Sequence, residues 1–188
     1  MAKVKLELVR LSFPALFEAE QFDGRGAFAY KATFLFEPNS ANHKKLVAAM
    51  NEVAEKEWPK DFKKVLEAAA DDSKLRFIGK GDSKSYDGYA GMLYVSSKRD
   101  QSKGHPWVAD KNKEPLTQID GKPYAGCYVN ATIEVWAQSN RYGKTVRAQL
   151  LGVQFAKDGD AFGSGSAQAS PDDFEDLSDT GAADDLIA

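Results

Sequence analysis

The chain has 188 residues, 43% of them hydrophobic and 28% charged, which suits one globular domain or one domain with a tail. Its single cysteine, Cys127, excludes an intrachain disulfide, and no run approaches the roughly 20 apolar residues of a membrane-spanning helix. The net charge of −3 hides an asymmetry: seven acids and no Lys or Arg lie in residues 164–188, so the remaining chain holds 25 basic and 21 acidic residues, a net +4. The expected location is cytoplasmic, because the opening MAKVKLELVR alternates like a strand and has no apolar signal core.

Lys3 to Phe13 reads as a first strand, ended by Pro14, which cannot donate to a sheet ladder. Residues 17–26 read as a loop. Ala27 to Phe36 is a second strand, with Phe28, Tyr30, Ala32, Phe34 and Phe36 on the core parity. Asn39 or Ser40 then caps a helix that runs through Leu46, Val47, Met50, Val53 and Ala54 to Pro59. Asp61 opens a second, shorter helix through Phe62, Val65, Leu66 and Ala69. The two form a helical insertion at about residues 40–70, packed on a β-barrel.

Residues 73–103 change character. Seven basic and three acidic residues are interleaved with Tyr86, Tyr89 and Tyr94, and several glycines mark a flexible loop. Within it, residues 92–99 read as a strand, with Tyr94, Ser96 and Lys98 pointing outward. Residues 100–124 form a long polar connection of the kind that is usually functional or disordered. Its Trp107 either serves a binding site or plugs one end of the barrel.

Residues 126–155 carry the clearest local signal. Two alternating apolar runs flank a short polar, Gly-containing loop, the pattern of a β-hairpin. Cys127, Val129, Ala131, Ile133, Val135 and Ala137 share the core parity. Tyr128 and Trp136 lie on the outer one, level with Arg147 and Gln149 of the returning strand. The apolar parity switches after Leu150, so Gly152 marks a bulge. After Phe155 the composition turns to Gly, Ser, Ala and acids, too poor in apolar surface to fold alone.

Catalytic patterns are missing from the sequence. His43 and His105 are isolated, no zinc spacing is present, and no phosphate-binding or nucleophile motif appears. The expectation is a protein that is not an enzyme and needs no metal or cofactor. Aromatic residues and cations on outer β faces instead suit single-stranded nucleic acid, which needs ring faces for bases and cations for phosphates. The stacking candidates are Tyr94, Trp107, Tyr128 and Trp136, with Tyr86 and Tyr142 in loops. The phosphate candidates are Lys80, Lys84, Lys98, Arg99, Arg141, Lys144 and Arg147. The same surface would also serve a protein-interaction module, because exposed Tyr, Trp and Arg are what interface hot spots use.

The order of LSFPALF at 11–17, YKATFLF at 30–36, a helical insertion, GKGD at 79–82, AGCYVNAT at 125–132, GVQFAKDG at 152–159 and a DDF-containing acidic tail resembles a phage-encoded single-stranded-DNA-binding protein family. The resemblance covers nearly the whole chain. It implies a five-stranded OB-fold barrel over residues 1–160, an acidic tail over 161–188, binding of single-stranded DNA in phage replication or recombination, and no catalysis. An RNA-binding OB domain is the weaker variant. The tail is similar to the acidic, hydrophobic-tipped tails of bacterial single-stranded-DNA-binding proteins, but closes Asp184, Asp185, Leu186, Ile187, Ala188 in place of an aromatic end. Its expected roles are to compete with DNA for the cationic face and to recruit phage or host replication proteins. Asp172, Asp173, Phe174, Glu175, Asp176, Leu177, Asp184, Asp185, Leu186 and Ile187 carry them. A homodimer, or cooperative assembly on DNA, accords with this reading.

Overall fold

The computed structural model describes residues 1–22 and 24–163. The expected tail, with its acidic and apolar partner-binding residues, therefore lies almost wholly outside the described residues.

The described chain is mainly β with two helices. Its strands are β1 (Ala2–Phe22), β2 (Arg25–Phe36), β3 (Ile78–Lys80), β4 (Leu93–Asp100), β5 (Trp107–Ala109), β6 (Tyr128–Asn140) and β7 (Gly143–Lys157). The helices are α1 (Ala41–Glu57) and α2 (Phe62–Asp71). One sheet holds all seven strands in the order β3-β4-β2-β1-β6-β7-β5. β4 also pairs in parallel with β7, Ser97 opposite Ala148 and Lys98 opposite Gln149. That pairing joins the two ends of the series β4-β2-β1-β6-β7. The sequence reading has five strands. The structure adds β3 and β5, three-residue strands too short to show a period.

β1 is the longest departure from the sequence reading. It does not stop at Pro14 but continues to Phe22, so the expected loop is one arm of a β1–β2 hairpin. Its first half pairs with β6 and its second with β2, with register shifts between Leu6 and Val9, Ser12 and Ala15, and Ala15 and Glu20. Leu8 and Phe13 take positive φ values of 51° and 47° within the first two irregularities. Bulges bend a strand and increase its twist, which lets one strand serve both halves of a curved sheet.

The concave side is apolar. Leu6, Leu11, Phe34, Val95, Ile133, Val135 and Leu150 are fully buried, each contributing roughly 1.5–3 kcal/mol of hydrophobic stabilisation. α1 covers this core with Leu46, Ala49, Val53 and Ala54, spaced on one helical face. The Ser40 hydroxyl accepts the His43 N–H at 3.2 Å, which fixes the helix start. Trp58, buried at the helix end, precedes Pro59, which cannot continue the helix. Phe28 leaves the expected core parity and is exposed, because it stands beyond the pairing with β4 on the hairpin arm.

The β6–β7 hairpin follows its alternation closely. Cys127 and the odd-numbered residues 129–135 are buried, and the even positions from Tyr128 to Gln138 are half-buried. Asn140 pairs with Gly143, so the connection narrows to Arg141 and Tyr142. The register slips between the Thr132–Gly152 and Ile133–Leu150 pairs, placing the bulge at Leu151 beside Gly152. A Cβ at Gly152 would lie 2.8 Å from the Trp107 carbonyl, so glycine here allows β5 to approach β7.

Candidate nucleic-acid interface

The outer face of β2 and β4 carries a connected set of aromatic rings. β4 alternates, so Tyr94, Ser96 and Lys98 point away from buried Val95 and Ser97. Tyr94 stands opposite Gly79 of β3, and its ring fills the space where a side chain at that position would sit. From Tyr94 the rings continue to Tyr89 at 5.5 Å, Tyr86 at 5.4 Å from Tyr89, and Phe13 at 4.9 Å from Tyr86. These contacts are tilted or edge-to-face, the geometry that aromatic quadrupoles favour.

The inner end of this ladder is fixed and the outer end is open. Tyr89 is buried and its hydroxyl donates to Ser12 Oγ at 3.2 Å. Burial raises its pKa, so the phenol stays neutral as a structural anchor. The loop around it is closed by Gly81 N–H to the Met92 carbonyl at 2.7 Å and Gly91 N–H to Asp82 Oδ1 at 2.7 Å. Tyr86 and Phe13 are each 50% exposed at the other end. Phe13 escapes the sequence reading because its parity matches core Leu11. The positive φ turns it outward, and the only local hint is the neighbouring Pro14.

Cations surround the rings. Lys80 ends β3 opposite Leu93, Lys84 follows one turn later, and both are exposed. Lys98 is exposed opposite Lys31 of β2, whose ammonium is held at 2.6 Å by Glu20. Between these lysines and Tyr94, Thr33 and Ser96 share a hydroxyl hydrogen bond of 3.0 Å. Tyr94 and Lys98 thus share the outer face of β4, and the ring contacts bring Tyr86 beside it, whereas Lys80, opposite Leu93, takes the other parity at the sheet edge and Lys84 lies in the loop that follows.

The other candidates are distributed around the sheet. Arg99 points to the inner parity, where its guanidinium donates to the carbonyls of Gly104, Lys103 and Leu150 at 2.8, 2.6 and 3.5 Å. Arg147 stands opposite Trp136 and donates to Gln138 Oε1 at 3.2 Å and the Lys74 carbonyl at 2.9 Å. Desolvation lowers its pKa from the usual arginine range. Lys144 is 3.3 Å from Asp61 and lies over the Trp58 ring. These three cations tie the strands, the insertion and the 101–104 turn together. Arg141 and Tyr142 occupy the β6–β7 tip, the guanidinium 4.7 Å from the ring centre and Tyr142 65% exposed. Trp107 opens β5 and is 61% exposed, which does not fit the alternative in which it plugs one end of the barrel.

Tyr128 lies at the opposite end of β6 from Trp136. Its ring sits between Arg10 at 5.7 Å and Lys157 at 4.7 Å, under Gly159. The segment that covers it is the start of the C-terminal connection. Arg10 donates to the Asp160 carbonyl at 2.9 Å and stacks on Phe162 at 4.4 Å. Phe162 N–H donates to the Ala125 carbonyl at 2.9 Å, and Gly163 N–H donates to Asp87 Oδ2 at 3.0 Å. The last described residue is therefore held beside the loop that presents Tyr86.

Comparison with known proteins shows which family the chain belongs to. Residues 2–187 match the family described as Enterobacter phage Enc34, ssDNA-binding protein. Protein p50 of Acyrthosiphon pisum secondary endosymbiont phage 1 is 46% identical over 179 residues, covering 94% of both chains. Among solved structures, the single-stranded DNA-binding protein from bacteriophage Enc34 in complex with ssDNA is similar at 25% identity and a TM-score of 0.62, over 86% of this chain and 89% of that one. The gp2.5 single-stranded DNA binding protein of bacteriophage T7 shares the fold at 14% identity and a TM-score of 0.56, over the whole of both chains. The chain belongs to the Enc34 phage single-stranded-DNA-binding protein family.

Proposed function

We propose that this protein binds single-stranded DNA without sequence preference on the outer face of β2 and β4, supports phage replication or recombination, and catalyses no reaction. The observation that carries the proposal is the aromatic ladder: two half-exposed rings, Phe13 and Tyr86, backed by Tyr89 and Tyr94, with Lys98 on the same face of β4 and exposed Lys80 and Lys84 on the neighbouring edge strand and loop. Bases stack on the exposed rings and the lysines meet phosphates, a combination that tolerates any sequence because every base has a ring face. The family match and the relative solved with ssDNA support the same reading.

The topology supports an OB-type reading of the fold. Strands β1, β2, β4, β6 and β7 pair in a ring closed by the parallel β4–β7 contact, with β3 and β5 as additions. OB barrels bind oligonucleotides on the face of their second and third strands, between two loops. Here those strands are β2 and β4, and the loops are the β1–β2 turn and the Arg141–Tyr142 tip.

Titration of a labelled oligo-dT at several salt concentrations tests the proposal. Tight binding at low salt is expected, with a log–log salt slope of about −0.7 per phosphate contacted. No binding at low salt would sink the proposal and leave the face to a protein partner. Competition by matched DNA and RNA oligonucleotides decides between the two nucleic acids.

A further inference from the structure

A second surface lies on the other half of the sheet. β1, β6 and β7 floor a groove of about 650 Å³, and Trp107 of β5 and Lys113 of the following loop wall it. Lys3 and Lys5 project into it from alternate positions of β1 and are exposed, as is Lys113. Two residues along a strand separate the first pair by roughly 6.7 Å. Among the described residues none of these three ammonium groups forms an ion pair. Glu7 is the lone carboxylate of the lining, and Lys45 of α1 is held against it at 3.4 Å. Glu134 stands opposite Lys3 across the β1–β6 pairing, beside the lining.

The two amide side chains of the floor are satisfied. Asn130 accepts the Leu8 N–H at 3.0 Å and donates to Gln154 at 3.3 Å, and Gln154 donates to the Asp110 and Lys111 carbonyls at 3.2 and 3.3 Å. These amides hold one another in place and leave few donors or acceptors to read a base edge. The groove thus offers an exposed indole face and three cations, with little means of choosing a sequence. That chemistry fits a single nucleic-acid strand better than a folded protein, which would have to pair the same cations with its own acids.

The groove is also reached from the proposed face. Lys98 of β4 is in register with Gln149 of β7, and Lys103 donates to the Gln149 side chain at 2.6 Å. Two positions further along the outer side of β7 the bulge at Leu151 and Gly152 meets Trp107. A strand leaving Lys98 passes Lys103 and arrives at the indole.

We infer that the Trp107 groove is a second contact for the same single strand, one base stacking on Trp107 and phosphates meeting Lys3, Lys5 and Lys113. The strand then wraps past the β4–β7 seam, and the occluded site is longer than one β face. This inference rests on single-stranded-DNA binding at the ladder.

The test compares short, about 8-nucleotide, and long, about 30-nucleotide, labelled oligo-dT, lengths within and beyond the roughly 4–16-nucleotide site size of one OB fold. The proteins are wild type, Trp107→Ala, the triple variant Lys3→Ala/Lys5→Ala/Lys113→Ala, and Tyr86→Ala. All positions are exposed, and thermal melts confirm folding. For the long oligonucleotide, Trp107→Ala is expected to weaken binding about tenfold, and the triple variant to lower the salt slope by about 2. The short oligonucleotide keeps near wild-type affinity for both variants and loses it with Tyr86→Ala. Equal losses at both lengths would make the groove part of the first contact, and unchanged binding at both lengths would assign it to another ligand such as an acidic peptide. Either result overturns the inference while leaving DNA binding itself intact. Wild-type protein that binds neither length would overturn the function reading, and this inference with it.

Discussion

Tyr86→Ala separates stacking from stability. The ring is 50% exposed, so its removal opens no cavity in the core. Its losses in the free protein are the edge contacts with Phe13 at 4.9 Å and Tyr89 at 5.4 Å. Each such contact contributes about 0.5–1.5 kcal/mol when measured in buried pairs, and solvent on one side places this pair at the low end. A stability loss of about 1 kcal/mol follows, which lowers Tm by roughly 2–4 °C in a chain of this size. The loss in DNA affinity should be larger, about 1–3 kcal/mol for one base stack, or roughly 5- to 150-fold in Kd. Because no charge is removed, the salt slope should not change. The assay is anisotropy of labelled oligo-dT at two salt concentrations beside a thermal melt. Unchanged affinity at both salts, with the melt shifted by the amount stated, would refute stacking at Tyr86. A changed slope would show that the loop's lysines had moved, not that a stack had been lost.

Four further outcomes are expected. Lys84→Ala and Lys98→Ala should each reduce the salt slope by about 0.7 with little change in Tm; a parallel shift without a change in slope would remove these lysines from phosphate contact. Arg147→Ala should act oppositely. It leaves the Lys74 carbonyl without its donor, costs about 1.5–3 kcal/mol by denaturant titration, and leaves the DNA salt slope as it was. The buried Cys127 thiol is pushed up to about 11 by desolvation, so thiol reagents at neutral pH should modify it only as fast as the protein unfolds; rapid labelling of folded protein would contradict its burial. Asp158 is held below the usual carboxylate range by the Tyr124 hydroxyl at 2.9 Å and then by Lys122 at 3.6 Å. A carboxylate depressed in the folded state stabilises above its unfolded pKa. That stabilisation should fade as pH falls below about 4, and Asp158→Asn should flatten the acid limb of the stability curve.

Local pattern and long-range partnership divide what the sequence disclosed from what it hid. The β6–β7 hairpin was legible because its period of two holds along β6 and switches in β7 where Gly152 marks a bulge. α1 was legible between Ser40 and Pro59 because cap and breaker are local chemistry. β1 was legible only as far as Phe13, and its continuation to Phe22 was not, since two positive-φ bulges reset its parity twice and turned Phe13 out of the face that alternation assigns it. The cations show the same divide. Arg99 and Arg147 sit in strands rich in outward polar residues, as phosphate contacts do. Their guanidinium groups instead meet carbonyls up to 73 residues away in sequence, at Lys74, or 51 away, at Leu150. Those partners exist only after the sheet has closed. Tyr86, Tyr94 and Lys98 are neighbours because one short strand and the loop before it hold all three.

The acidic tail is best tested through the place where it leaves the described fold. Residues 158–163 are docked by Arg10, Ala125 and Asp87, so the segment that carries the seven acids continues from Gly163, which is held next to the Tyr86 loop. Tethered from that point, they are expected to act at a high effective concentration on Lys80, Lys84 and Lys98, as a tethered competitor does. Removing residues 164–188 should therefore tighten DNA binding, most at low salt, where opposite charges attract across the longest distance. Phe162→Ala keeps every acid but loosens the dock, because it removes the ring that stacks on Arg10 and packs against Gly88. It should relieve part of the competition without changing the net charge. If truncation tightens binding and Phe162→Ala does not, charge alone governs the effect and the dock is irrelevant. If truncation leaves affinity unchanged or weakens it, the tail does not compete for this face at all.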